Sequence, residues 1–304
     1  MMEVVGVGAG NAESVAAWAE PDVVALDTET TGLWWGDRLV ELAAVRLRGD
    51  AVVGRWWARV HPEGPIPARV TALHGIADGD VAGLAPAAAV LGDFRRFVSG
   101  ALLVAHNAVY DRDILGAEFV RAGLSPPSEA MVCSLALARR LVPESPRFGL
   151  YRLAAHLGLP LGVAHRALDD ATLTLALWGT LRQRLEAAGT SLAECLSAVE
   201  GAGPHHLGDA VRPVGPAELS GRGYASLGQS LLGGGWVRVR VAKGEGEAGE
   251  IVRGVVRTAY ARGTELVVDL LEGATGGAAR VRSVPLGAGV EIVGEGVTGG
   301  GSLG

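Results

Sequence analysis

Two cysteines in 304 residues, Cys133 and Cys195, are too few for a disulfide framework, and their spacing is not that of metal ligands. A reducing compartment is the simplest reading. No uncharged apolar run reaches membrane-spanning length, and the opening MMEVVGVGAG has no basic region leading into a long apolar core. Neither a membrane span nor a signal peptide is therefore expected, and a cytoplasmic protein with no membrane partner is. An excess of positive charge is also missing. The formal net charge of -6 argues against broad non-specific adhesion to nucleic acid. It does not exclude an enzyme whose acidic residues gather around cations. Lysine is nearly absent, Lys243 being the single one, a bias that follows genome composition as readily as function.

What is present suffices for two domains, with 49% hydrophobic residues to fill their cores. The most informative stretch is 23–31, VVALDTETT. A short apolar run ending in carboxylates and a turn signal reads as a buried strand opening into a site at its C-terminal end. Asp27 and Glu29 stand two apart, so on a strand they leave from the same face and repel each other. A divalent cation between them removes that conflict. A solvated acidic strand end is the plain alternative.

Residues 1–20 form a lead-in, with a short strand at 3–7 and a helical turn at 15–18. Strands follow at 38–48 and 51–60, joined by the Gly49-Asp50 turn into an antiparallel meander. The adjacent Trp56 and Trp57 face opposite sides of the sheet and read as packing rather than a base platform. Helices are expected at 67–74, 86–98, 108–122, 131–141, 147–157 and from 165 to 185, and a strand at 101–105 delivers His106-Asn107 to its end. A strand feeding a helix beside a meander implies a mixed sheet flanked by helices.

Asp111 falls early on the helix expected at 108–122, and His165 precedes by five residues the carboxylate Asp170, which opens a long helix. With His165 in the loop and Asp170 in the first turns, both face a common point while Asp169 points elsewhere. The near-neutral pKa of a histidine suits proton transfer. Asp27, Glu29, Asp111 and Asp170 thus make a set of four carboxylates on three elements. Hard oxygen donors select Mg or Mn over Zn. Two such ions activate water and neutralise charge on a transferring phosphoryl group, the two needs of phosphodiester hydrolysis.

At this point the chain resembles the DEDDh branch of the 3'-5' exonuclease family, which includes the proofreading exonuclease subunit of bacterial DNA polymerase III, ribonuclease T and oligoribonuclease. Asp27-Thr28-Glu29 with Thr30-Thr31-Gly32 matches the first motif. His106 to Asp111 matches the second, with Tyr110 where Phe is common, and His165-Arg166-Ala167-Leu168-Asp169-Asp170 matches the third. Leu73-His74-Gly75-Ile76 resembles the family's short His-Gly-Ile element. The resemblance covers about residues 21–190. It implies a ribonuclease H-like fold, a mixed five-stranded sheet with helices on both sides, and two divalent cations, Mg2+ or Mn2+. Asp27, Glu29 and Asp170 would hold one ion and Asp27 with Asp111 the second, with His165 as general base. Thr28, Thr30, Thr31 and Leu33 would grip the terminal nucleotide, supported by His74 and Asn107.

Beyond residue 200 glycine accounts for 26 of 104 residues. The expected organisation is an exonuclease domain at 21–195, a flexible Gly-rich linker at 196–235, a small all-β barrel-like domain at 236–295 and a disordered tail at 296–304. His205 and His206 are too isolated for a metal site, and Gln229-Ser230-Leu231-Leu232 faintly resembles a sliding-clamp-binding peptide. Five strands are expected between 236 and 293, carrying Arg238, Arg240, Arg253, Arg257, Arg280 and Arg282 in alternation. Ten basic and ten acidic residues after position 200 leave this part neutral, so a nucleic-acid grip competes with a solvated face or a protein-binding module.

The expected function is a metal-dependent 3'-5' exonuclease of DNA that releases nucleoside 5'-monophosphates in proofreading or repair. Its partner would be a nucleic acid 3' end, single-stranded DNA first, and a DNA polymerase or sliding clamp would be a further partner. Two alternatives stand beside it: an RNA 3'-5' exonuclease, identical in motifs, and a binding or scaffolding module of a replication assembly with weak nuclease activity.

Overall fold

The computed structural model describes residues 22–34, 36–234, 236–241, 250–272, 280–287 and 290–295. The lead-in at 1–20 and the tail at 296–304, with the expectations for them, lie outside the described residues.

β1 (Val23–Thr30) and β2 (Leu39–Arg48) are buried along nearly their whole length, as central strands covered on both faces must be. β3 (Ala51–Arg59) is an edge strand, reached through a tight turn at Gly49, whose φ of 57° lies in the left-handed region that glycine adopts freely. Trp56 packs on Phe94 while Trp57 stays half exposed, on opposite faces of this strand. β4 (Leu102–Ala105) and β5 (Met131–Cys133) add in parallel to β1, giving the mixed order β3-β2-β1-β4-β5.

Helices α1 (Ala68–His74), α2 (Asp78–Val81), α3 (Ala88–Val98), α4 (Ala108–Arg121), α5 (Ser134–Leu141), α6 (Leu150–His156) and α7 (Ala167–Ala187) cover the sheet. Leu91, Phe94 and Val98 of α3 and Ile114, Leu115 and Phe119 of α4 pack with Val24, Leu26 and Leu103 in the main core. α7 meets the other side of β1 and β2 through small residues, Ala25 and Ala43 on the strands against Ala167 and Ala171 on the helix. Small side chains on both partners let the helix lie close to the strand that carries Asp27 and Glu29.

The helix expected over 131–141 divides in two. Met131, Val132 and Cys133 pair with Leu103, Val104 and Ala105 and are fully buried or nearly so, and the helix begins only at Ser134. Pairing to an open sheet edge outweighs the helical spacing of a three-residue apolar segment.

The segment 196–235, expected as a flexible connector, carries the end of α8 (Leu192–Ala198), then α9 (Leu207–Ala210), β6 (Arg212–Pro213), α10 (Pro216–Gly221) and α11 (Ala225–Gly233). α9 sits so close to α4 that a Cβ on Gly116 would lie 2.7 Å from the Leu207 carbonyl oxygen. His205 exchanges backbone hydrogen bonds with Met131, and the rings of His205 and His206 bond the carbonyls of Gly201 and Ser128. The Gln229–Leu232 stretch belongs to α11: the Ser230 hydroxyl accepts from the Val256 backbone N–H at 2.9 Å and Leu231 packs in the second core. The short, glycine-punctuated pieces carry little periodicity, and tertiary contacts hold them.

β7 (Trp236–Val241), β8 (Glu250–Arg262), β9 (Glu265–Glu272), β10 (Arg280–Leu286) and β11 (Val290–Glu295) follow in the order β10-β9-β8-β7-β11, with β6 also on β8. All pairings are antiparallel, and β10 and β11 are not paired with each other among the described residues. Val237, Val239, Val252, Val256, Val268 and Leu270 build the core of this sheet. Of its alternating arginines, Arg240 pairs with Glu291, Arg257 with Glu63 and Arg282 with Glu250, which removes half of the expected basic face. Arg253 lies over the Trp236 ring at 4.9 Å.

The two parts meet at the C-terminal end of α4. Arg121 is buried there and donates to Asp269 at 3.0 Å, to Glu118 at 3.1 Å, to the Gly36 carbonyl at 2.7 Å and to Tyr260. Arg38 donates to Glu118 at 2.9 Å and Glu63 at 2.8 Å, and Arg257 reaches Glu63 at 2.6 Å. Around this charge cluster Ala117, Val211, Tyr260 and Val267 form an apolar contact.

Candidate active site

Strand β1 brings Asp27 and Glu29 to its C-terminal end on one face, opposite Ala43 and Glu41 of β2. The register shifts between Glu29 and Thr30, a bulge that re-aims the chain as it leaves the sheet. The even-numbered residues face α4: the Thr28 hydroxyl donates to Asp111 at 2.8 Å. Asp111 occupies the first turn of α4, whose preceding residue, Asn107, has φ 74°. Asp170 sits in the first turns of α7, and its carboxylate accepts from the Tyr151 hydroxyl at 2.6 Å. His165 lies exposed in the loop before α7 with φ 60°, a sparsely populated conformation for a non-glycine residue. Asp169 faces away and accepts from the Val163 backbone N–H at 3.2 Å, holding that loop.

These groups converge on one open cavity of about 500 Å³. Asp27, Thr28, Glu29, Thr30, Leu33, His74, Asp111, His165 and Asp170 all line it. Thr31 and Asn107 do not. Thr31 is buried in the turn after β1, accepting from the Arg38 N–H at 3.0 Å, and Asn107 is exposed beside the start of α4. His74 accepts the Ile76 N–H on Nδ1, so Nε2 donates to the Thr30 carbonyl at 3.2 Å, which steadies the end of β1. Leu33 is 84% exposed at the rim, an apolar surface facing solvent.

Burial leaves these carboxylates short of compensation. It pushes the Asp27 carboxyl well above its ordinary range, and the charges of Asp111, Asp170, Glu29 and Glu41 add to the rise. Burial, then Asp170, Glu41 and Asp111, take Glu29 to about 8. Asp111 rises to about 7 through burial, against the pull of the Thr28 hydrogen bond. Asp170 is raised by burial and drawn back by the Tyr151 hydroxyl and by His165. One ligand atom each from Glu29, His165 and Asp170 lie within 4.8 Å of one another. Crowded hard oxygen donors that repel when ionised fit a divalent cation of the Mg or Mn type.

Several residues of the site escaped the sequence reading. Tyr151 meets Asp170 from α6, a long-range contact that no spacing announces. Arg69, exposed on α1, is the one Arg or Lys side chain among the described residues lining the cavity. His106, which opens the second motif in the sequence, also lines it, held by the Ser134 hydroxyl at 3.0 Å and the Phe148 carbonyl at 2.9 Å, with burial taking its pKa to about 4. Glu41 had a readable signal, a carboxylate in the middle of the apolar run LVELAAV.

A mixed five-stranded sheet with carboxylates gathered at the end of its central strand defines the ribonuclease H-like class. The family model for exonucleases matches residues 24–178, and the chain belongs to that exonuclease family. It is 35% identical over 160 residues to the DNA polymerase III subunit epsilon of Treponema pallidum, covering 52% of this chain and 74% of that protein. It is 38% identical over 167 residues to a PolC-type DNA polymerase III of Oceanobacillus iheyensis, covering 55% of this chain but 12% of that polymerase. Among solved structures, E. coli Exonuclease I in complex with a dT13 oligonucleotide matches with a TM-score of 0.52 at 16% identity, over 84% of this chain and 56% of that one. That likeness is one of fold. No helix among the described residues is long and apolar enough to cross a membrane.

Proposed function

We propose that this protein is a divalent-cation-dependent 3'-5' exonuclease that removes nucleoside 5'-monophosphates from a DNA end. One observation carries the reading: Asp27, Glu29, Asp111, Asp170 and His165 reach a single open cavity from a strand, two helices and a loop. The names of the relatives, a DNA polymerase III subunit epsilon and a PolC-type DNA polymerase III, favour DNA over RNA and a DNA polymerase as partner.

Asp27, Glu29 and Asp170 would hold one cation and Asp27 with Asp111 a second. Bound there, such ions would supply polarisation of water and neutralisation of charge on the phosphoryl group. His165, beside Glu29 and Asp170, takes the proton of the attacking water. The water oxygen forms a bond to phosphorus as the bond to the upstream 3' oxygen breaks. The products are a nucleoside 5'-monophosphate and a strand shorter by one, ending in a 3'-hydroxyl. Tyr151 fixes the orientation of Asp170, and Thr28 that of Asp111. Leu33 and Leu73 present apolar surface to the terminal base, Thr30 and His74 brace the backbone beneath it, and Arg69 places a positive charge at the mouth for a backbone phosphate. Residues 21–195 supply the chemistry in this reading, and the sheet of strands β6 to β11 packs on the C-terminal end of α4.

The test is digestion of end-labelled single-stranded DNA, mismatched duplex DNA and RNA in parallel, with Mg2+ or Mn2+ and an Asp27→Ala control. Stepwise loss from the 3' end of DNA, absent in the control, is expected. Loss from the 5' end, or equal activity in the control, overturns the proposal, and preference for RNA transfers it to the alternative substrate.

A further inference from the structure

Glu41, the third residue of β2, is fully buried and stands directly across from Glu29. A buried carboxylate is costly unless its oxygens are bonded. Oε1 accepts from Arg59 Nη2 at 2.9 Å and Nε at 3.3 Å. Oε2 does something different: it accepts from the backbone N–H of Ala167 at 3.1 Å.

Ala167 is the first residue of α7, and the first N–H groups of a helix have no partner inside it. Arg166, at the N-cap, supplies no side-chain hydrogen bond. Glu41 therefore caps α7 from a neighbouring strand, with a negative charge at the end of the helix where the backbone dipoles favour one. His165 precedes this bond by two residues and Asp170 follows it by three. Asp27 and Glu29 stand on the strand paired with β2. The Glu41 bond is thus a direct tie between the half of the site built on the sheet and the half built on α7.

We propose that Glu41 is a positioning residue of the candidate active site: by capping α7 from β2 it sets Asp170 and His165 against Asp27 and Glu29, and so governs cation affinity without touching the cation. The inference rests on the cation-dependent reading above. It differs from a plain buried ion pair with Arg59, because Arg59 touches the other oxygen of Glu41 and has no bond to α7.

The test is titration of the purified 304-residue chain with Mn2+ by calorimetry, for wild type, Glu41→Ala, Glu41→Gln and Arg59→Gln. Each is held below its own thermal midpoint, and kcat and KM on single-stranded DNA are measured alongside. Losing an outer residue that orients ligands weakens metal binding by about 10–100-fold, so Glu41→Ala is expected to bind Mn2+ at least ~10-fold more weakly and to lose kcat with little change in KM. Glu41→Gln, which keeps one acceptor oxygen, falls between wild type and Glu41→Ala. Arg59→Gln lowers the thermal midpoint and leaves Mn2+ affinity near wild type. A folded Glu41→Ala with wild-type Mn2+ affinity overturns the proposal. If Glu41→Ala does not fold, equal Mn2+ affinities for Glu41→Gln and Arg59→Gln overturn it. A wild-type chain that binds no Mn2+ overturns the cation-dependent reading itself, a result distinct from either of these.

Discussion

Two regions of this molecule bury charge, and they treat it in opposite ways. At the end of β1, burial raises the titration of Asp27, Glu29, Asp111 and Asp170, and the charges of Asp111 and Asp170 raise Asp27 and Glu29 further. At the foot of α4, Glu118 is as deeply buried, yet Arg38 and Arg121 hold its carboxyl below the usual range. The second cluster is matched in sign within the protein, with Arg38 and Arg121 on Glu118, although Arg38 Nη1 is buried there without a hydrogen-bond partner. The first is met by hydroxyls, Thr28 on Asp111 and Tyr151 on Asp170, which bring no positive charge, a deficit that a bound cation would balance. Burial alone therefore does not mark a functional site; burial with an unmatched sign does.

The comparison breaks most visibly at Asp27. Asp27→Asn should lower nuclease turnover by about 10³-fold, the several kcal/mol that cation-held charge stabilisation supplies, while the thermal midpoint without cation stays equal or rises because a repelling charge is gone. A fall in both, by kinetics and melting, would mean that the site carries fold as well as chemistry. Arg121→Ala should do the reverse. Removing one partner from a buried charge cluster costs about 3–5 kcal/mol, which urea denaturation would read, and added Mg2+ would not restore it.

A pH series sharpens the contrast further. The raised carboxylates keep protons in the folded chain that the unfolded chain has already released, so their stabilising contribution is present at low pH. It is lost as pH climbs from about 4.5 towards the value of about 8 that Glu29 takes when folded. Cation-free protein should melt lower at pH 8 than at pH 5.5 on account of these groups, and Mg2+ or Mn2+ should raise the midpoint more at pH 8. A cation effect that is the same at both values in scanning calorimetry would contradict the assignment. The smallest effect is expected at Arg69, exposed at the cavity mouth. Arg69→Ala should raise KM for single-stranded DNA by about 2–5-fold, in line with an exposed ion pair, and lower the salt dependence of binding by about one phosphate contact, with kcat unchanged.

What was legible in the sequence follows the range of the forces involved. Asp27 with Glu29, and His165 with Asp170, are neighbours whose spacing a strand or a helix start converts directly into geometry. The β strands from 236 onwards showed through their alternation. Tyr151 and Arg69 enter the site by tertiary packing alone and left no local pattern. Thr31 shares the first motif yet turns to the Arg38 backbone, because the chain bends after Thr30. Met131 to Cys133 looked helical since three residues cannot display a period, and an open sheet edge claimed them. The pieces between 196 and 235 looked like a connector because glycine-rich sequence hides contacts made with something else.

α4 begins at the cavity with Asp111 and ends under the β sheet with Arg121, and α9 presses against its middle at Gly116. One helix is thus common property of both parts of the chain. Ending the chain at residue 195 would bare Ala117 and Val120, strip Arg121 of Asp269 and Tyr260, and leave an apolar, charged scar on the helix that carries Asp111 of the candidate site. Borrowing this unit for another protein would mean borrowing the sheet with it, or redesigning the outer face of α4.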